Sequence, residues 1–176
     1  MPRIRLPKPC IKCGATTSTP NYVCRNCSSI DLSKVPLEIW HEFIGLFFGE
    51  GSISIRIVHH PSRDNLYITL AISLREDDRH ALDFLNDYLG GTISIDNHSE
   101  SPQARWAIQK TKDIEVILQK IVETSLIPAK KLQDVKLALE FISWKNSIPF
   151  RNANLDKGFE LRSKLMASRS YGAIRG

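Results

Sequence analysis

Four cysteines fall within the first 27 residues, as Cys10-Ile-Lys-Cys13 and Cys24-Arg-Asn-Cys27. Two residues between paired cysteines let both thiolates reach one ion from a tight turn. Two such knuckles complete a tetrahedral four-cysteine zinc site. Gly14 follows the first pair, where a turn favours a permissive residue. Two disulfides or an unmetallated redox segment are the competing arrangements. Paired spacing in a reducing compartment favours metal, and no thioredoxin-like strand–helix–strand pattern surrounds either pair. Four protein ligands leave no open position, so the expected role of this zinc is structural. The histidines add no second centre. His41 lies in an apolar stretch, His59 and His60 adjoin in a polar one, His80 and His98 stand alone, and none has ligand spacing with a carboxylate.

A second feature is a glycine pair inside an apolar helix. Over residues 37–49, Ile39, Phe43, Leu46 and Phe47 recur at helical spacing, and Pro36 suits a helix start. Gly45 and Gly49 are four apart on that helix. Each costs roughly 1 kcal/mol relative to alanine, so the pair predicts an offsetting gain, the close approach of another backbone. The next residues alternate: Ser52, Ser54 and Arg56 interleave with Ile53, Ile55 and Ile57, a strand with one polar and one apolar face. Residues 59–65 read as a loop by their breaker content. Alternation then resumes through Tyr67–Leu74, predicting a hairpin.

The remaining elements follow the same logic. Asp77 can cap a helix bearing Ala81, Leu82, Leu85 and Leu89, which Gly90-Gly91 ends. Residues 92–96 and 104–110 read as a second strand pair, with Trp106 and Ile108 inward. Residues 113–123 form a short helix, Pro128 precedes a longer one, and residues 155–166 form a last helix. The order predicts an α+β domain with helices on one face of a curved antiparallel sheet, its other face polar and basic. The expected division is a zinc-binding cysteine module over 1–30, a polar linker over 31–36, a core over 37–150 and a basic helix and tail over 151–176.

The chain of 176 residues carries a net charge of +5, with 42% hydrophobic and 24% charged residues, the composition of a soluble globular protein. That charge suits a polyanion without requiring one. Arg151, Lys157, Arg162, Lys164, Arg169 and Arg175 stand near the C-terminus against Asp156 and Glu160, which fits phosphate contact and a solvated helix equally. No apolar run approaches the roughly 20 residues that span a bilayer, and the start has no apolar core of a secretory signal. An intracellular location, cytoplasm or organelle matrix, with no membrane partner, is expected.

The segment Phe43-Ile44-Gly45-Leu46-Phe47-Phe48-Gly49-Glu50-Gly51-Ser52-Ile53 resembles the signature of the LAGLIDADG homing endonucleases, in a helix running directly into a strand. The element order from Ser52 to about Trp144 resembles that family's αββαββα core. The resemblance implies a DNA endonuclease whose signature helices pack in pairs, with Ile44, Gly45, Phe48 and Gly49 at the contact. It implies that Glu50 binds a catalytic divalent metal, Mg2+, aided by the Gly49 carbonyl. Glutamate replaces the name-giving aspartate, and Phe48 replaces the earlier acid. With one signature per chain and two strands to cut, a homodimer on a roughly palindromic double-stranded target follows. A lysine at the start of the long helix, Lys130 or Lys131, is implied near the site. A polar residue after the second strand is implied too, in a slot filled by Arg75 or Glu76.

Under this resemblance the outward side chains of the sheet lie in the major groove. They are Ser54 and Arg56 on the first strand, Tyr67, Thr69, Ser73 and Arg75 on the second, Thr92 and Ser94 on the third, and Arg105 and Gln109 on the fourth. Arginine pairs with guanine and glutamine with adenine. Lys12 and Arg25 give the cysteine module a route to phosphates. The alternative on the same fold is a non-catalytic DNA-binding regulator, or an intron-RNA splicing helper (a maturase) that binds RNA. A regulator binds without cutting under any metal. A maturase speeds splicing even with Glu50 replaced.

Overall fold

The computed structural model describes residues 8–9, 16–17, 28, 30–61, 63–97, 101–124, 128–148 and 154–170. Two short strands, β1 (Lys8–Pro9) and β2 (Thr16–Thr17), pair antiparallel and bracket residues 10–15. Cys10, Cys13, Cys24 and Cys27 lie outside the described residues. Asp31 then opens a 3-10 turn over Leu32–Lys34, its carboxylate accepting from the Ser33 N–H. The stretch ahead of the first helix is anchored, because Ile30 is buried in the core.

Helix α1 (Leu37–Glu50) buries Ile39, Trp40, Phe43 and Phe47 on one face. It passes without a loop into β3 (Gly51–His60), which pairs antiparallel with β4 (Arg63–Arg75). The hairpin loop is tighter than breaker content suggested. The ladder reaches His60↔Arg63, and His59 Nδ1 lies 2.8 Å from Asp64 Oδ1 across it. After a 3-10 turn over Glu76–Asp78 comes α2 (Arg79–Leu89), burying Leu82, Leu85 and Leu89. Asp77 does not cap it; its carboxylate accepts from Arg75 instead. Gly90 (φ 65°) and Gly91 (φ 111°) end the helix in backbone that other residues rarely adopt.

The second hairpin is β5 (Thr92–Asp96) with β6 (Gln103–Ile108), and β6 ends two residues earlier than the alternation suggested. The sheet order is β3-β4-β6-β5, all antiparallel. The helices α3 (Thr111–Glu123), α4 (Ala129–Ser147) and α5 (Asp156–Ser170) complete the described chain. Registers place Ile53, Leu70 and Ile108 side by side, and likewise Ile72, Trp106 and Ile93, on the face the helices cover. Trp106 anchors that core: fully buried, edge-on to Phe43 at 6.1 Å, its Nε1 donating to the Gly90 carbonyl at 2.8 Å. Each such large side chain contributes roughly 1.5–3 kcal/mol of burial. Helix α5 returns onto α4 and buries Leu161 and Leu165. Gly158 permits the approach, since a Cβ there would strike Trp144 and Leu66. Among the described residues no helix is long and apolar enough to cross a membrane. The α+β architecture with helices on one face of an antiparallel sheet is as the sequence predicted.

Candidate nucleic-acid interface and active site

The foot of α1 is built by packing. Phe47 is fully buried and stacks on Phe43, which fixes the last turn against the core. The Gly51 N–H donates back to the Phe47 carbonyl, and the chain leaves the helix directly as strand. Only glycine fits at Gly51, because a Cβ would run into the Phe47 ring and carbonyl. Glu50 is thereby held on the surface at the end of the helix. This is the negative end of the helix dipole, and α1 has no basic residue in its last turn. A carboxylate at the negative end of a helix favours a nearby cation. Carboxylate and carbonyl oxygens are hard donors, the set that suits a magnesium-like ion.

Gly45 and Gly49 face open space: an added Cβ would meet nothing within 4 Å. Ile44 and Phe48 beside them are half-buried. The two lysine candidates separate clearly. Lys131 donates to the Gly51 carbonyl, next in sequence to Glu50, and its ammonium sits 5.1 Å from the Phe47 ring centroid. Lys130 is exposed, though it lines the same cavity of about 420 Å³ with Phe48, Ser52, Pro128 and Asp134. Gly49, Glu50, Arg75 and Glu76 do not line this cavity. Arg75, at the end of β4, donates to Asp77 at 3.2 Å, and Glu76 is exposed in the following turn. Ile72 is the residue opposite Gly51. Three further residues carry Arg75 about 10 Å along the strand.

The second part of the site is the uncovered face of the sheet. Directly opposed residues share a face, so the registers fix its membership. Ser54 opposes Thr69, Arg56 opposes Tyr67, and Arg105 stands between Ser73 and Ser94. Thr92 opposes Ala107, and Arg75 opposes Gln103. All the strand residues expected to point outward do share one face. Gln109 is exposed just past the end of β6. Arg56, Tyr67, Arg75, Thr92, Ser94 and Arg105 are exposed, and Ser54 and Ser73 are half-buried. Thr69 differs: it is 3% exposed, and its hydroxyl has no hydrogen-bond partner among the described residues. A direct contact from Thr69 would require its neighbours to move.

Three residues escaped sequence reasoning. Gln103 and Asp96 oppose each other on the polar face at the Arg75 end. The alternation of β6 carried the signal for Gln103. Asp134, on α4, is buried against the cavity, and nothing local marks it.

With this geometry established, the comparisons with known proteins decide the family. The family model described as LAGLIDADG endonuclease matches residues 43–142. The chain belongs to the LAGLIDADG endonuclease family. No curated protein matches the sequence. Among solved structures, the chain is similar to I-CeuI complexed with DNA, at 14% identity and TM-score 0.65, covering 77% of this chain and 70% of that one. It is similar to the homing endonuclease I-CvuI in complex with the I-CreI target in the presence of Mg, at 18% identity and TM-score 0.59, covering 78% and 84%. I-SmaMI, bound to an uncleaved DNA target with calcium ions, matches at 18% identity and TM-score 0.60, covering 74% of this chain. The chain spans less than half of I-SmaMI, covering 45% of it. At these identities the likeness is one of LAGLIDADG fold.

Proposed function

We propose that this LAGLIDADG protein is a site-specific DNA endonuclease that acts as a homodimer and hydrolyses phosphodiester bonds in both strands with a divalent metal. The observation that carries the reading is Glu50: an exposed carboxylate at the negative end of a helix, with no basic residue in that helix's last turn. Its carboxylate and the Gly49 carbonyl are the proposed donors. A Mg2+ ion held there supplies electrostatic stabilisation of the charge that builds on the phosphate and the leaving 3′ oxygen. Lys131, fixed at the Gly51 carbonyl, adds a cation beside the same phosphate. Arg56, Arg75 and Arg105 on the polar face neutralise backbone and read bases in the major groove. That I-SmaMI and I-CeuI, proteins of this fold, are bound to DNA supports DNA as the partner.

The open Gly45–Gly49 stripe supports pairing through α1, which sets two Glu50 side chains near one axis for two strands. For the N-terminus we propose a structural zinc held by the four cysteines. The paired spacing of the cysteines carries this part of the reading, and the β1–β2 strands flank the first pair in sequence. The test is a cleavage selection on randomised duplex DNA with Mg2+, run on the wild type and on Glu50→Gln. One cut sequence of roughly two-fold symmetry, lost in the variant, is the expected result. Failure of the wild type to cut any sequence refutes the endonuclease reading.

A further inference from the structure

Asp134 is a buried charged side chain that the proposed chemistry leaves unused. It is 9% exposed and lines the cavity at the foot of α1 together with Lys130, Lys131 and Gly51. Its one hydrogen-bond partner among the described residues is Ser168, whose hydroxyl lies 2.5 Å from Asp134 Oδ1. That length is typical of a hydroxyl donating to a carboxylate. The same hydroxyl lies 2.8 Å from the Leu165 carbonyl, but its single proton serves one acceptor at a time. A buried carboxylate held by one hydroxyl is costly unless positive charge shares its low-dielectric surroundings.

Lys131 provides it. It precedes Asp134 by three residues, which places both on one side of α4, and both line the cavity. A carboxylate inside the cavity favours an ammonium that points inward over one that extends into solvent. Ser168 comes from α5, beyond the matched span of residues 43–142. We infer that Asp134 is a positioning residue: held by Ser168, it keeps the Lys131 ammonium at the Gly51 carbonyl, one residue along the chain from Glu50. The C-terminal helix is then part of the catalytic apparatus, although it supplies none of the groups proposed to meet metal or DNA. This inference rests on the endonuclease reading for its catalytic consequence and on geometry alone for the position of Lys131.

The test uses the full-length protein and the variants Asp134→Asn, Asp134→Glu and Ser168→Ala. Single-turnover cleavage of the selected target is measured with Mg2+, and DNA affinity with Ca2+. Asp134→Asn should slow cleavage about tenfold or more, the scale of outer-shell substitutions. Affinity should stay within about twofold, the mark of a group felt in the transition state. Asp134→Glu should restore most of the rate, and Ser168→Ala should give a smaller loss. An unchanged rate in Asp134→Asn overturns the inference. So does a parallel loss of rate, affinity and melting temperature in all three variants, which marks a role in folding only.

A second readout needs no cleavage. The proton–nitrogen NMR correlation of lysine ammonium groups sees only slowly exchanging, hydrogen-bonded ones. The Lys131 signal, assigned with Lys131→Arg, should be present in the wild type and lost in Asp134→Asn. Its persistence overturns the inference whatever the activity. A wild type that cuts nothing while the signal behaves as expected overturns the endonuclease reading and the catalytic role of Asp134 together, and leaves the positioning of Lys131 supported.

Discussion

The foot of α1 and the polar face of the sheet share strand β3, yet they are held in opposite ways. At the foot, each group depends on the others. Phe47 packs in the core, Gly51 leaves room for that ring, and Lys131 reaches the Gly51 carbonyl from 80 residues further along the chain. On the sheet, the direction of each side chain is set mainly by its own strand position. Arg56 faces outward because it opposes Tyr67, and Arg105 because it lies between Ser73 and Ser94. The foot tolerates little change because its atoms are close-packed. The face tolerates much, since an exposed side chain can be exchanged without disturbing the ladder. On the endonuclease reading, a protein built this way can keep one chemistry while its recognition of DNA drifts.

The sharpest contrast is Glu50→Gln against any substitution on the sheet. Losing the carboxylate should slow cleavage on the order of a thousandfold or more while DNA affinity holds. A single-turnover assay beside a gel-shift measurement checks this, and equal losses in both would erase the contrast. Next in size is Gly45→Leu. Within the protomer nothing stands within 4 Å of the new Cβ, and leucine gains up to about 0.8 kcal/mol of helix propensity over glycine. Protomer stability should therefore rise while the pairing of two α1 helices fails. Sedimentation should show a shift from dimer to monomer, and a dimer that persists would place the interface elsewhere.

How much of this was legible in the sequence follows the same divide. The strands of the face were readable because period-2 alternation is a local signal, and the registers bear it out from Ser54 to Arg105. Helix α1 was readable from its apolar spacing, and the position of Glu50 at its end from the run of the helix into a strand. What stayed hidden is what tertiary packing decides. Lys130 and Lys131 are neighbours about 100° apart on a helix, and only the docking of α4 against Gly51 selects Lys131. Asp134 reads as a surface charge until α5 folds back and Ser168 covers it. The loop over 59–65 was overestimated because Pro61 is a breaker only locally. The strand pairing, with His59 bonded to Asp64, runs up to it on both sides.

On the face itself, Arg105→Ala should relax base preference at one position of the target. One good bidentate contact discriminates by about 1–3 kcal/mol, and cleavage of the best remaining site should proceed at a near-normal rate. A profile of cleavage against every single-base change in the target measures it. Uniform weakening across all positions would instead assign Arg105 to the phosphate backbone.

The smallest effect tests whether burial overrides register. Thr69 shares the polar face by alternation, but it is 3% exposed and its hydroxyl is unpaired among the described residues. An unsatisfied buried hydroxyl costs on the order of 1 kcal/mol, and valine has nearly the same shape. Thr69→Val should therefore leave DNA affinity unchanged and raise stability by up to about 1 kcal/mol in urea unfolding. The opposite outcome is equally informative. A tenfold loss of affinity with stability unchanged would mean that DNA, or a water held between DNA and protein, is the missing partner of that hydroxyl. Burial in the free protein would then be the closed form of a contact that opens on binding, and the face would be less independent of its neighbours than its strand register implies.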